Sequence, residues 1–274
     1  MALPFSKSQV IRLGERLVKA NEPSDEDLAA LSDLLIAYDD TLASALEIVR
    51  DLGFDPTSRV KNTGTILEKL ARHGGSWLKS MQDLAGMRIV LDGTRTAQDE
   101  AVRLIVEAFA SAEREPKVMD RRSQPSQGYR AVHVIVFLDG IPVEIQVRTR
   151  WQHEWADMFE KLADLIGRGI RYGEAPAHWW EPARGLAEGE TARNAALMEI
   201  YEASYRYHVA MTESAVALSD LINALEEAAV SGARQDDRVR ELWDSVRESL
   251  AHLREEMTHM TPVSQRSDVG SVEP

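Results

Sequence analysis

Apolar residues in this chain follow two periods, and the switches between them outline its architecture. From Lys7 to Ala20, Val10, Ile11, Leu13 and Leu17 recur at helical spacing, and Asn21-Glu22-Pro23-Ser24 ends the pattern. Ser24 stands where a helix N-cap belongs, with acidic residues behind it; this predicts a second helix from about Asp25 to Leu52, with a break near Asp39-Asp40. Gly53 to Thr57 reads as a loop. A third helix is expected from near Thr63, where Thr65 to Glu68 has capping-box spacing, to the glycine stop at His73-Gly74-Gly75. Gly86 to Asp92 reads as a strand, and Thr96 to Ala112 as an amphipathic helix burying Val102, Ile105, Val106 and Phe109.

The period then changes to two. Arg130 to Leu138 and Ile141 to Thr149 alternate as strands around Asp139-Gly140, a strong hairpin turn signal. A two-residue loop sets Leu138 opposite Ile141, Ile135 opposite Glu144, His133 opposite Gln146 and Ala131 opposite Arg148. Tyr129, His133, Glu144, Gln146 and Arg148 then share one face, and Val143, Ile145 and Val147 take the other. One face belongs to a core and the other carries chemistry.

Helical spacing returns from about Trp151 to Gly167, with Trp155, Phe159 and Leu162 on one side, and residues 167–177 read as a loop. Arg184 to about Met260 reads as two long helices broken near Val230-Ser231-Gly232-Ala233, with Met198, Ile200, Tyr201, Tyr205 and His208 as a packing stripe. The polar tail 261–274 is expected to be disordered. The domain plan is N-terminal helices over 1–56, an α+β core over 57–175, a helical extension over 176–260, and the tail.

Composition narrows the function. A chain of 274 residues has room for one large domain or a catalytic domain with a helical extension. Without cysteine there are no disulfides or thiolate zinc sites. No apolar run reaches transmembrane length and no signal-peptide pattern opens the chain, so it reads as a soluble cytoplasmic protein with no membrane partner. The net charge of −13 argues against broad nucleic-acid binding. Yet Lys117, Arg121, Arg122, Arg130, Arg148 and Arg150 gather around the hairpin, between acidic flanks. A basic site inside an acidic protein suits a small polyanion such as a nucleotide.

Three constellations carry candidate chemistry. Arg59, Lys61 and Lys69 bracket a helix start, where basic side chains and free N–H groups form a phosphate site. Asp83 precedes a strand that carries Arg88, so a metal and an anion could meet there. Glu144, in mid-strand, needs a cation or hydrogen-bond partners. Asp83 and Glu144 together would suit one Mg²⁺, which prefers oxygen ligands and keeps water and phosphates in its shell. Tyr129 offers a stacking surface, and His133, Arg148 and Arg150 offer phosphate contacts.

In order and spacing, Arg59-x-Lys61, Thr65, Lys69, Asp83-Leu84-Ala85-Gly86-x-Arg88, Gly128-Tyr129-Arg130-Ala131-Val132-His133 and Glu144-Ile145-Gln146-Val147-Arg148-Thr149 resemble the synthetase domain of the RelA/SpoT family. The resemblance spans roughly residues 60–172 and is of the synthetase-only, small alarmone synthetase kind, because the His-Asp dipeptide of the family's hydrolase domain is absent. It implies a mixed β-sheet of nucleotidyltransferase-like type flanked by helices. It implies a GTP pyrophosphokinase activity: transfer of pyrophosphate from ATP to the 3′-hydroxyl of GDP or GTP, giving (p)ppGpp.

The same resemblance implies that Arg59, Lys61, Lys69 and Arg88 hold ATP. It makes Asp83 a Mg²⁺ ligand and Glu144 either a second ligand or the base on the acceptor hydroxyl. Tyr129 would stack on the acceptor base, with His133, Gln146 and Arg148 lining the acceptor side. Met119 and Ser126 stand where the family carries acceptor-side lysines, and Arg121 and Arg122 are the candidate substitutes. Some toxic relatives modify adenine nucleotides or the tRNA 3′ end, so tRNA and an antitoxin are alternative partners. A non-catalytic nucleotide-binding module is a third reading. The terminal helices are the candidate contacts of a homo-oligomer.

Overall fold

The computed structural model describes residues 3–19, 22–110, 114–177, 193–230 and 237–260. It divides into two compact units, Met1–Asp120 with Ala131–Thr149, and Arg121–Arg130 with Arg150–Pro274.

The first unit is a five-stranded mixed sheet with helices. Helices α1 (Lys7–Lys19) and α2 (Asp25–Asp51) lead into β1 (Thr57–Val60), α3 (Thr63–His73), a 3₁₀ turn (Gly75–Ser80) and β2 (Ala85–Leu91). Helix α4 (Arg95–Ala108), β3 (Lys117–Asp120), β4 (Val132–Leu138) and β5 (Ile141–Thr149) follow. The strand order is β1-β2-β5-β4-β3, with β2 and β5 parallel and the other pairs antiparallel. This is the expected α+β class.

Strand alternation separates a core from a polar face. Met87 and Ile89 of β2, Val134 and Val136 of β4, and Ile145 and Val147 of β5 point to one side and join one apolar cluster with Leu31, Leu42 and Ile105 of the helices. The opposite side carries Arg59, Arg88, His133, Glu144, Gln146 and Arg148. Arg59 pairs with Gly86, Gly86 with Glu144, and His133 with Gln146 across successive ladders. Asp139 and Gly140 turn the hairpin with φ of 50° and 78°, the left-handed pair of a type I′ turn. The register is the expected one: Leu138 faces Ile141, Ile135 faces Glu144 and His133 faces Gln146.

Several local expectations change. Ser24 does cap α2, accepting from Asp27 N–H, but α2 runs unbroken through Asp39-Asp40, where burial of Tyr38, Thr41 and Leu42 keeps the turn helical. Asn62, not Thr65, caps α3, with its side-chain oxygen accepting from Thr65 N–H at 2.8 Å. Thr57, at the end of the expected loop, and residues 58–60, for which the sequence predicts no element, form edge strand β1; β3 is a second unexpected edge strand. Both are four residues long and largely exposed, so alternation has almost nothing to report in them. Strand β4 starts at Val132 rather than Arg130, which removes Tyr129 from the strand face on which the alternation had placed it.

Among the described residues, the second unit is mainly helical apart from the 121–130 segment. Helix α5 (Arg150–Ile166), a 3₁₀ turn (Arg168–Tyr172), α6 (Arg193–Val230) and α7 (Asp237–Thr258) pack around Trp155, Phe159, Leu162, Ile222 and Leu250. In the expected stripe on α6, His208 is buried but Ile200 is 62% exposed. The break near Val230 and the tail 261–274 lie outside the described residues. No helix among the described residues is long and apolar enough to cross a membrane.

Candidate functional site

Two carboxylates and a set of cations meet around the β1–β2–β5 edge of the first unit. Lys61 follows β1 directly, its backbone N–H bound to the Leu84 carbonyl at 2.8 Å, which fixes it beside the residue preceding β2. Lys69 lies two turns along α3. Both ammonium groups donate to the same oxygen of Asp83, at 2.8 Å from Lys61 and 2.5 Å from Lys69. Burial alone would raise the Asp83 carboxyl, but the two lysines outweigh it and hold its pKa below the ordinary aspartate value. Lys61 moves down as well: burial disfavours its charge, Asp83 works against that, and the neighbouring Lys69 ammonium adds to the downward push. Asp83 is thus ionised and keeps about a quarter of its side chain open to solvent.

On β5, Glu144, Gln146 and Arg148 form a chain along one strand face. Arg148 donates to Gln146 Oε1 at 2.8 Å, and Gln146 donates through Nε2 to Glu144 Oε2 at 2.7 Å. His133 Nδ1, from β4, lies 2.9 Å from Glu144 Oε1. Burial pushes the Glu144 carboxyl up, but His133 and Gln146 reverse that and hold it below its ordinary value, while the Asp83 charge acts in the upward sense. That coupling shows that the two carboxylates share one electrostatic neighbourhood. Arg148 is almost fully buried, at 2% exposure, and works as a rigid end to the chain. Arg59 is exposed and Arg88 half-buried on the same sheet face.

The sequence-derived candidates therefore divide between the two units. Arg59, Lys61, Lys69, Asp83, Arg88, His133, Glu144, Gln146 and Arg148 belong to the sheet unit. Tyr129, Arg121 and Arg122 belong to the helical unit, where Tyr129 is half-buried against the Trp155 cluster and Arg121 is exposed. Arg130, counted from sequence among the loose basic residues, is buried and donates to Asp220 Oδ1 at 2.5 Å. Its partner stands 90 positions away in the chain, and no local pattern could have announced it. No group of three or more histidines and carboxylates able to hold a metal occurs among the described residues. Asp83 and Glu144 do supply two ionised oxygen donors, which suits a hard cation that completes its shell with phosphate and water.

Comparison with known proteins bears on the family. A family described as the region found in RelA / SpoT proteins matches residues 58–163. An uncharacterized protein of Mycobacterium tuberculosis strain H37Rv is 34% identical over 212 residues, 76% of each chain, and one from Mycobacterium bovis matches equally. Among solved structures, small alarmone synthetase 1 from Bacillus subtilis bound to its product pppGpp is 22% identical, with a TM-score of 0.42 over 68% of this chain and 96% of that one. A GTP pyrophosphokinase family protein from Streptococcus pneumoniae is 19% identical, with a TM-score of 0.39 over 72% and 96%. Identity of 34% across three quarters of both sequences, with the matched region lying over the sheet and its charged face, shows that the chain belongs to the RelA/SpoT family.

Proposed function

We propose that this protein is an ATP-dependent nucleotide pyrophosphokinase that makes (p)ppGpp from GDP or GTP. The observation that carries this reading is the pair of ionised carboxylates, Asp83 and Glu144, set among Lys61, Lys69, Arg59 and Arg88. Phosphoryl-type transfer asks for positioning and charge neutralisation more than covalent chemistry, and an excess of cations around two carboxylates supplies both.

In this mechanism Lys61, Lys69, Arg59 and Arg88 hold the ATP phosphates. Mg²⁺, held by Asp83, would neutralise charge on the transferred group. The acceptor 3′-hydroxyl oxygen forms a bond to the β-phosphorus of ATP, the bond from that phosphorus to the α,β-bridging oxygen breaks, and AMP leaves. Glu144 is the base that takes the hydroxyl proton, its carboxylate aimed by His133 on one oxygen and Gln146 on the other. Gln146 and Arg148 line the acceptor side and keep that carboxylate from rotating. Tyr129 stacks on the acceptor base, with Arg121 and Arg122 supplying cations from its own segment.

One observation favours a second acceptor class. Met119, opposite His133 in the sheet, and exposed Ser126 replace the lysines expected beside a guanine-nucleotide acceptor. Adenine nucleotides or a tRNA 3′ end would then take the place of GDP. Incubation with ATP labelled in its β- and γ-phosphates and separate GDP, GTP, ADP, AMP and tRNA acceptors decides the matter. Product on guanosine nucleotides alone is the expected result. Label on tRNA or adenine nucleotides alone selects the second class, and nucleotide binding without any product removes the enzymatic reading.

A further inference from the structure

We infer that helix α6 is the positioning element of the acceptor segment 121–130, acting through Ser219 and Asp220; this rests on the reading of Tyr129 as the acceptor-base platform. The segment has little structure of its own. Its order comes from one tight turn, in which Tyr129 N–H donates to the Ser126 carbonyl at 2.9 Å. Two consecutive residues inside that turn, Gln127 and Gly128, are left-handed, with φ of 49° and 82°. Gln127 pays a steric cost there that glycine does not, so contacts outside the turn must hold it.

Those contacts all lie within the helical unit. A Cβ on Gly128 would meet the Trp155 ring at 2.8 Å, so only glycine lets the backbone lie on that ring. The Ser219 hydroxyl donates to the Gly128 carbonyl, and Ser219 is itself buried at 3% exposure. Arg130 ties both ends of the segment together, donating to the Arg122 carbonyl at 2.6 Å and to Asp220 at 2.5 Å. Tyr129 is therefore held on both sides, through the carbonyl before it and the guanidinium after it. A residue pinned at both neighbours has its backbone fixed, and with it the Cα–Cβ direction from which its ring extends.

Helix α6 is fit to act as the reference for this segment. Trp155 Nε1–H donates to the Ala215 carbonyl at 2.6 Å, and buried Gln152 donates to Glu226 at 2.8 Å. Ala215, Ser219, Ile222 and Glu226 follow at i, i+4, i+7 and i+11, a single stripe of the helix. The same stripe thus anchors α6 to α5 at two points and grips the Gly128 carbonyl between them. Burial of the Arg130 guanidinium at 7% exposure makes a carboxylate partner necessary, and Asp220 adjoins that stripe.

The test uses full-length Ser219→Ala, Asp220→Ala and Asp220→Glu proteins, read by amide hydrogen exchange over residues 121–130 and by separate KM values for ATP and acceptor. Both alanine variants are expected to lose exchange protection in that segment while α5 stays protected. The KM for the acceptor should rise about ten-fold in Asp220→Ala, as loss of a charge-assisted hydrogen bond implies, and less in Ser219→Ala, which loses a neutral one, with the KM for ATP unchanged in both. Asp220→Glu should recover most of the acceptor KM. Unchanged exchange in both alanine variants overturns the inference. So does increased exchange with equal changes in both KM values, which would make the contacts structural only. A wild-type protein silent toward every acceptor overturns the functional reading instead, and exchange then judges the clamp by itself.

Discussion

Glu144, Gln146 and Arg148 on the sheet, and Gln152, Ser219 and Glu226 in the helical unit, are all polar side chains withdrawn from water, yet they end differently. In the helical unit each chain of contacts closes: Gln152 on Glu226, Ser219 on a carbonyl, Arg130 on Asp220. On the sheet the contacts converge on two carboxylates. Asp83 spends one oxygen on two lysines, Glu144 ends the Arg148–Gln146 chain, and Arg59 stands exposed beside them. Lys61 and Lys69 stand against Asp83, and Arg59 and Arg88 share the sheet face of Glu144. Burial of a polar group therefore does not tell the two regions apart; the gathering of several charges at partial exposure does.

The sharpest way to break that comparison is to remove one carboxylate from each region. Glu144→Gln should lower kcat about 10³-fold, the range expected when a base and its electrostatic role are lost together. Glu226→Gln should lower the melting temperature and leave kcat within a few-fold. Comparable losses of kcat in both would erase the distinction. Next in size, Lys69→Ala should raise the KM for ATP about 10- to 100-fold, since it deletes a charge-assisted phosphate contact. An unchanged KM would take Lys69 out of the ATP site and leave it as a partner of Asp83.

The pH response sharpens the same contrast. Asp83 and Glu144 both have depressed values, so the stability they add is complete above the unfolded carboxylate range. It is lost as pH falls through their folded values, below 3.8 for Asp83 and below 4.5 for Glu144. Acid unfolding followed by circular dichroism should shift to higher pH in Lys69→Ala, because Asp83 then titrates nearer its ordinary value. Lys61 moves in the other direction: its folded value is lowered below 10.5, so ATP affinity should begin to fall before that pH is reached. The smallest expected effect lies in the helical unit's packing. Trp155→Phe removes the hydrogen bond to Ala215 and part of a buried ring, costing about 2 kcal/mol in a denaturant titration.

How much of this was legible in the sequence depended on the range of the signal. The hairpin register and the shared face of His133, Glu144 and Gln146 were readable because alternation and the Asp139-Gly140 turn are local and strong. The helix start at Asp25 was readable for the same reason, since Ser24 and the acids after it carry their own signal. Strands β1 and β3 were missed because short, exposed edge strands have no buried face to imprint on the sequence. Tyr129 was given to the strand because its spacing continues the alternation; the left-handed Gln127-Gly128 turn and the Trp155 ring place it elsewhere. The pairing of Arg130 with Asp220 is a tertiary event, and single-chain periodicity contains no information about it.

The turn at Asp139-Gly140 has a consequence for how this site can change over time. Side chains on a strand behave like a binary code, and the turn sets its phase. One residue added there would shift β5 by a single step. Val143, Ile145 and Val147 would then occupy the charged face, and Glu144, Gln146 and Arg148 would enter the apolar core. No point substitution could undo such a frame error. Within this hairpin the chemistry is free to drift residue by residue, but the length of its loop is not.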